Sequence, residues 1–202
     1  MPRMDTACTT DHAASPTFQP RLAGDLAIWI FILAELLAFG VFFAAYAFAR
    51  AADPELFALG QEGLNRNAGA FNTLVLLTAS YCVVRAVHAA EAGRGRQGAP
   101  WLLAALGCGG AFVVVKLAEY SAAFDAGISL SSSTFDMFYL SLTFFHFMHV
   151  LLGMVILGAL WLNARQGRYD PDNLNGIESG AAYWHMVDLV WLVLFPLVYV
   201  MR

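Results

Sequence analysis

The stretch Phe144-Phe145-His146-Phe147-Met148-His149-Val150-Leu151-Leu152-Gly153 carries two histidines three residues apart inside a long apolar run. The run extends from Phe135 to Leu162, and its only charged residue is Asp136. At about 1.5 Å of rise per residue, a helix of this length reaches roughly 40 Å, enough to cross a bilayer with tilt. The i, i+3 spacing places both imidazoles on one helical face near the membrane midplane, where polar groups face a bundle interior or a water-filled cavity.

Composition supports a membrane protein throughout, since 59% of the 202 residues are hydrophobic and only 13% are charged. The mean hydropathy of +0.62 is far from that of an ordinary soluble domain. We therefore predict an all-α integral membrane protein, a five-transmembrane-helix bundle. A polar, mobile tail of residues 1–24 precedes a single membrane domain, residues 25–202, with helices at about 26–49, 68–90, 101–122, 135–162 and 180–201.

The connections between the apolar segments are short. Asp53-Pro54 ends the first segment and leads into a predicted loop up to Asn67, and the Gly- and Pro-containing run 91–100 is predicted to be a surface loop. More arginines fall on the side of the N-terminus than on the opposite side, so the positive-inside rule predicts a cytoplasmic N-terminus and an outside C-terminus. The net charge of −4 comes with no basic block, which argues against a nucleic-acid partner.

Several ionisable side chains interrupt the apolar segments. A charge at the centre of a membrane helix costs roughly 2.5 to 3.5 kcal/mol, so each calls for a partner, neutralisation or a function. Two hypotheses remain open: a hydrogen-bonded cluster that only fixes helix register, and a path for protons. The residues concerned are Glu35, Glu178, His185 and Asp188, in addition to the histidine pair, and Lys116, Glu119 and Tyr120 nearer the opposite membrane edge.

Metal binding by His146 and His149 would need further ligands, of which the membrane interior offers Glu35, His185 and Asp188. Histidines in membrane helices more often form hydrogen bonds to neighbouring helices, and we predict no metal or cofactor bound by this chain. Small residues in the apolar segments are predicted to let helices approach closely. They include Gly107, Gly110 and Gly153.

The last two segments resemble a known family. Phe-His-x-x-His-Val-x-x-Gly at 145–153, then Glu178, then Tyr-Trp-His-x-Val-Asp-x-Val-Trp at 183–191, is similar to the signature of subunit III of haem-copper respiratory oxidases. Ala34-Glu35-Leu36 matches the position of that family's buried acid, and Lys116-x-x-Glu119-Tyr120 matches its Lys-x-x-Glu-Tyr region. The resemblance spans residues 25–202. It is closest to the short five-helix forms, and most of all to the NorE-type branch associated with nitric oxide reductase.

This resemblance implies a non-catalytic subunit of a respiratory electron-transport complex in the bacterial cytoplasmic membrane. Such a subunit binds no haem itself and packs, among membrane lipids, beside a catalytic subunit that carries haem and copper or non-haem iron. The resemblance also implies that the subunit supports proton uptake and turnover stability, and that the matching acids and histidines form a buried polar cluster. The expected partner is nitric oxide reductase, with an aerobic cytochrome c or quinol oxidase as the alternative. An independent proton or ion conductor is the alternative of another class.

Overall fold

The computed structural model describes residues 24–201, and these are helical with short connections and no strand. Apart from Gly24, the predicted N-terminal tail lies outside the described residues. Five of the helices are long and apolar enough to cross a membrane, as predicted. The elements are α1 (Leu26–Ala52), α2 (Pro54–Glu62), α3 (Arg66–Glu91), α4 (Gly95–Asp125), α5 (Thr134–Arg165) and α6 (Asn175–Phe195), followed by a π-helical turn (Pro196–Val200).

Helices α3 to α6 form the core, and α1 lies at its edge, packed mainly against α6 and less against α5. The buried residues of α1 are Ile32, Phe39 and Tyr46, seven residues apart, which makes one narrow stripe along the helix. The opposite face exposes large apolar side chains such as Leu33 and Leu37. We call the membrane side where α1 and α6 begin the N-terminal side, and the side that carries α2 the C-terminal side.

The predicted loop between the first two spans is wrong for residues 54–62, which form helix α2. The Asp53 side chain accepts a hydrogen bond from the Leu56 backbone N–H at 3.1 Å, and Pro54 occupies the first helical turn, where no N–H is needed. Phe57 is fully buried beneath this helix, and Gln61 donates to the Tyr46 hydroxyl. Asp-Pro therefore ends one helix and begins the next.

The predicted loop at 91–100 is also wrong from Gly95 onward, because α4 begins there. Its glycines permit close packing rather than breaking the helix. A Cβ on Gly95 would clash with the Tyr169 carbonyl oxygen, and one on Gly98 would lie 3.0 Å from the Ala86 carbonyl oxygen. Pro100 lies inside α4, which membrane helices tolerate.

The end of the last span changes its winding at Pro196. A proline cannot donate the usual backbone hydrogen bond, and the chain continues as a π-helical turn in which the Met201 N–H donates to the Pro196 carbonyl at 2.9 Å. Within this turn Val198 and Tyr199 are buried. The turn therefore directs the Tyr199 phenol toward the core.

Candidate functional site

Glu35 on α1 and His149 on α5 form a hydrogen bond between the two helices. Glu35 Oε2 lies 3.0 Å from His149 Nε2, and the other ring nitrogen, Nδ1, lies 2.8 Å from the Phe145 carbonyl oxygen. A carbonyl oxygen only accepts, so Nδ1 carries a hydrogen. The bond to Glu35 then contains one proton, held either by the carboxyl group or by an imidazolium. The side chains of Glu35 and His149 are only 20% and 10% exposed, respectively.

His146 lies one turn before His149 but does not join this bond. Its side chain is fully buried, and neither ring nitrogen has a hydrogen-bond partner among residues 24–201. Three aromatic rings surround the imidazole, with the centroid of Trp191 at 5.2 Å, Phe112 at 5.8 Å and Phe39 at 6.5 Å. His146 therefore occupies an aromatic site between α1, α4 and α6.

The polar residues of α6 have other partners. His185 Nδ1 is hydrogen-bonded to the Ser80 hydroxyl of α3. Asp188, one turn further along, is buried, and its carboxylate interacts with the same Ser80 side chain without a hydrogen bond of regular geometry. Glu178, at the N-terminal side, accepts from the Gly24 N–H at 2.7 Å and so ties the start of α1 to α6.

The six residues predicted as one buried polar cluster thus lie in separate environments. Glu35 and His149 are bonded to each other, whereas the hydrogen bonds of the described residues do not connect them to His185 or Glu178. Glu178 and His185 both line a cavity of about 460 Å³ between α1, α3 and α6. Two members of the sequence stripe 178, 185, 188 therefore lie on one wall of this cavity, and the stripe does not form a continuous hydrogen-bonded network among the described residues.

A second group of polar residues surrounds Lys116 of α4, which is fully buried. Lys116 Nζ donates to the Tyr199 hydroxyl at 2.9 Å and lies 3.3 Å from Glu119 Oε1. The ammonium also lies 4.8 to 5.7 Å from four ring centroids, those of Tyr120, Tyr139, Trp191 and Tyr199. Aromatic faces arranged in this way stabilise a desolvated cation through the ring quadrupoles.

Two tyrosines that sequence reasoning did not find complete this group. The Tyr139 hydroxyl donates to Glu119 Oε1 at 2.6 Å, and the Tyr199 hydroxyl donates to the same oxygen. Tyr120, which the sequence did indicate, contributes its ring to the ammonium, while its hydroxyl donates to Thr143 at 3.0 Å. Tyrosines near the ends of membrane helices are typical of interfacial belts, so their sequence position gave no sign of an inward role.

The glycines singled out in the sequence divide into two kinds. A Cβ on Gly153 of α5 would lie 2.9 Å from the Trp184 ring, so Gly153 permits close packing of α6. A Cβ on Gly107 or Gly110 of α4 would meet nothing within 4 Å. A side chain at either position would therefore point into open space among the described residues, so the predicted role in helix packing within this bundle has no support at these two glycines.

The polar side chains described above can form hydrogen bonds and transfer protons. Among residues 24–201, no group of three or more His, Cys, Asp or Glu side chains could hold a metal ion. Within the bundle, Glu35 contacts His149, and Lys116 contacts Glu119.

Comparison with known proteins gives the chain's relationships. The family model described as Cytochrome c oxidase subunit III matches residues 8–202. Cytochrome c oxidase subunit 3 from Thermostichus vulcanus is 31% identical over 200 residues, which cover 97% of this chain and 94% of that protein. Its counterpart from a Synechocystis species is 30% identical over 173 residues, covering 85% of this chain and 73% of that protein. A probable cytochrome c oxidase subunit 3 from Nocardia farcinica is 30% identical, covering 86% and 85%. The chain therefore belongs to the cytochrome c oxidase subunit III family.

Proposed function

We propose that the chain is a non-catalytic, subunit III-type component of a haem-copper-superfamily respiratory complex. The observation that carries this proposal is family membership along nearly the whole chain, with relatives named as subunits of cytochrome c oxidase. The partner is then a catalytic subunit that holds haem together with copper or non-haem iron. The chain itself supports assembly, turnover stability and proton uptake.

The Glu35–His149 bond is the structural element we assign to proton uptake. The bond shares one proton between two side chains that are both largely buried. Glu35 lies on α1, the helix at the edge of the bundle. A carboxyl–imidazole pair can hold that proton on either partner, so transfer of the proton between the two groups leaves the pair without net charge in apolar surroundings. Its replacement by Glu35→Gln should change proton-coupled turnover of the complex more than its assembly.

The finer proposal is that the partner reduces nitric oxide. It is supported by three runs that look most like the NorE-type branch: Gly24-Asp-Leu-Ala-Ile-Trp, Ala182-Tyr-Trp-His-Met-Val-Asp and Leu194-Phe-Pro-Leu-Val-Tyr-Val. The short connections agree with that branch. The competing proposal is an aerobic oxidase, which the names of the three relatives favour.

Purification of the tagged chain in mild detergent from its native membrane tests both the accessory role and the identity of the partner. Cells are grown with and without nitrogen oxides, and the co-purifying proteins are identified by mass spectrometry together with a haem spectrum. Recovery of a haem-bearing catalytic subunit supports the accessory role, and its identity chooses between nitric oxide and oxygen reduction. A haem-free chain recovered alone from several detergents would contradict the accessory role. Proton flux in liposomes would then test an independent conductor.

We further propose a multi-pass protein of the bacterial cytoplasmic membrane with its N-terminal side facing the cytoplasm. This orientation is supported by exposed arginines on that side, among them Arg94, Arg96 and Arg168. Single cysteines introduced by Asp172→Cys on the N-terminal side and Ser131→Cys on the C-terminal side test it, after Cys8, Cys82 and Cys108 are replaced by serine. A membrane-impermeant thiol reagent added to intact spheroplasts should label only the variant at 131. The reverse pattern would invert the orientation.

A further inference from the structure

A cavity of about 520 Å³ lies beside Glu119 at the C-terminal side of the bundle. We call it the Glu119 cavity. Helices α2, α4 and α5 contribute to its wall, and much of the lining consists of glycine and alanine. These small side chains, which include Gly60, Gly63, Ala118 and Ala122, leave a volume that is large enough for a small organic group.

Glu119 is a fixed and incompletely satisfied acceptor at this wall. Its side chain is only 10% exposed. Oε1 accepts from the hydroxyls of Tyr139 and Tyr199 and lies near Lys116, whereas the buried Oε2 has no partner among the described residues. A buried polar atom without a partner costs about 1 to 3 kcal/mol. A hydrogen-bond donor that enters the cavity and reaches Oε2 would therefore be stabilised there.

The charges around the cavity select the kind of donor. A second carboxylate, Asp136, lines the same space, with Oδ2 accepting from the Ser133 hydroxyl at 2.8 Å. The described lining residues include no Lys, Arg or His. Lys116 balances only one of the two acids. A cationic donor is therefore favoured, and phosphate or carboxylate groups are disfavoured.

The lining and the depth of the cavity narrow the donor further. A bare metal cation prefers about six oxygen ligands, whereas this lining is mainly alkyl. Glu119 lies about 9 Å before the end of α4 at Asp125. The 31 residues of α4 extend well beyond a hydrocarbon layer of about 30 Å, which places Glu119 near the lipid headgroups.

We propose that the Glu119 cavity binds a protonated primary amine, with the Glu119 carboxylate as its acceptor. The amine is either the ammonium group of an aminophospholipid or a free amine at the membrane surface. This inference does not depend on which respiratory complex contains the chain, so the two proposals can fail independently.

Native mass spectrometry of the purified full-length chain tests the proposal. The protein is mixed with phosphatidylethanolamine or with phosphatidylcholine of the same acyl chains, whose methylated ammonium cannot donate a hydrogen bond. The wild-type chain should retain phosphatidylethanolamine at least about tenfold better, the factor for one charge-assisted hydrogen bond. In a second arm, ethanolamine is titrated against the lipid-free chain, so that a free-amine site is recognised by saturable binding without a lipid preference.

Three variants decide whether the binding belongs to this cavity. Glu119→Gln keeps an acceptor for the tyrosines but removes the charge and should abolish the preference. Ala122→Leu fills the space while both carboxylates remain, and it should also abolish the preference. It therefore tests the proposal even if Glu119→Gln does not fold. Glu55→Gln, an identical change at an exposed site on α2, should have no effect.

Two outcomes would overturn the proposal. One is a wild-type chain with neither amine preference nor ethanolamine binding, and the other is a preference that survives in folded Glu119→Gln and Ala122→Leu. In the first case, cross-linking of Glu119 to a basic side chain of a partner subunit would identify a protein occupant instead.

Discussion

The hydrogen bond between Glu35 and His149 makes a specific prediction about coupling between α1 and α5. His149 Nδ1 is committed to the Phe145 carbonyl, so Nε2 depends on Glu35 for its partner. In a double-mutant cycle, Glu35→Leu and His149→Leu should each lower the free energy of unfolding. The double variant should lose less stability than the sum of the two single losses. Each single change leaves one buried polar group unpaired, whereas the double change leaves none.

The expected coupling energy follows from the burial of the two side chains. Because they are 20% and 10% exposed, loss of one partner leaves the other in surroundings that cannot replace the hydrogen bond. An unpaired buried polar group costs about 1 to 3 kcal/mol, which sets the coupling. Glu35→Gln should behave differently, since the amide N–H can donate to Nε2. The coupling energy between this variant side chain and His149 should remain at least about 0.5 kcal/mol.

The assay is reversible unfolding of the purified chain in lipid bicelles, with the free energy of unfolding measured for the wild type and each variant. The transfer of a leucine side chain to the membrane affects the single and double variants alike, so the cycle removes it. A coupling below about 0.3 kcal/mol for the leucine cycle would refute the assignment of this bond as a contact that holds α1 to the core. Equal effects of Glu35→Gln and Glu35→Leu would show that the carboxylate charge, rather than the hydrogen bond, is needed.

Three further predictions concern packing, charge and pH. Gly153→Leu should destabilise the fold by about 1 to 3 kcal/mol in thermal unfolding, since its Cβ would lie 2.9 Å from the Trp184 ring. Gly158→Leu, where a Cβ meets nothing within 4 Å, is the matched control and should be neutral or slightly stabilising; equal losses would contradict the packing. Lys116→Met should cost about 3 to 5 kcal/mol in the same assay, because it leaves a buried carboxylate without its cation, and unchanged stability would contradict this role. Burial raises the pKa of the Tyr169 phenol in the connection after α5 above its ordinary 10.0, so folding favours the neutral form. Stability measured against pH should therefore fall as the pH rises through the raised pKa, and Tyr169→Phe should remove that part of the fall.

The sequence alone determined the number and approximate place of the membrane spans. Long apolar runs such as 135–162 must be buried in lipid or protein, and helices are the only open-ended structure that satisfies the backbone there. The sequence motifs at 145–153 and 183–191 also indicated the family, because they combine several residue types at fixed spacing.

Some local structure was readable but misinterpreted. Asp53-Pro54 ends one helix, yet the same pair is a strong start signal for the next, which is how α2 was missed. The glycines before Pro100 suggested a loop, although in the structure Gly95 and Gly98 allow α4 to approach Tyr169 and Ala86. A glycine that breaks a helix and one that permits a close contact look alike in a sequence.

The composition of the polar groups was decided only by the tertiary structure. His146 and His149 share a helical face, yet one meets aromatic rings and the other meets an acid 114 positions away in the chain. Likewise, Tyr199 reaches Glu119 across 80 positions, after the turn at Pro196 has directed it inward. Spacing along one helix fixes which side chains share a face. Which partner each side chain meets depends on how neighbouring helices rotate and pack, and that is settled by the fit of all the side chains at once.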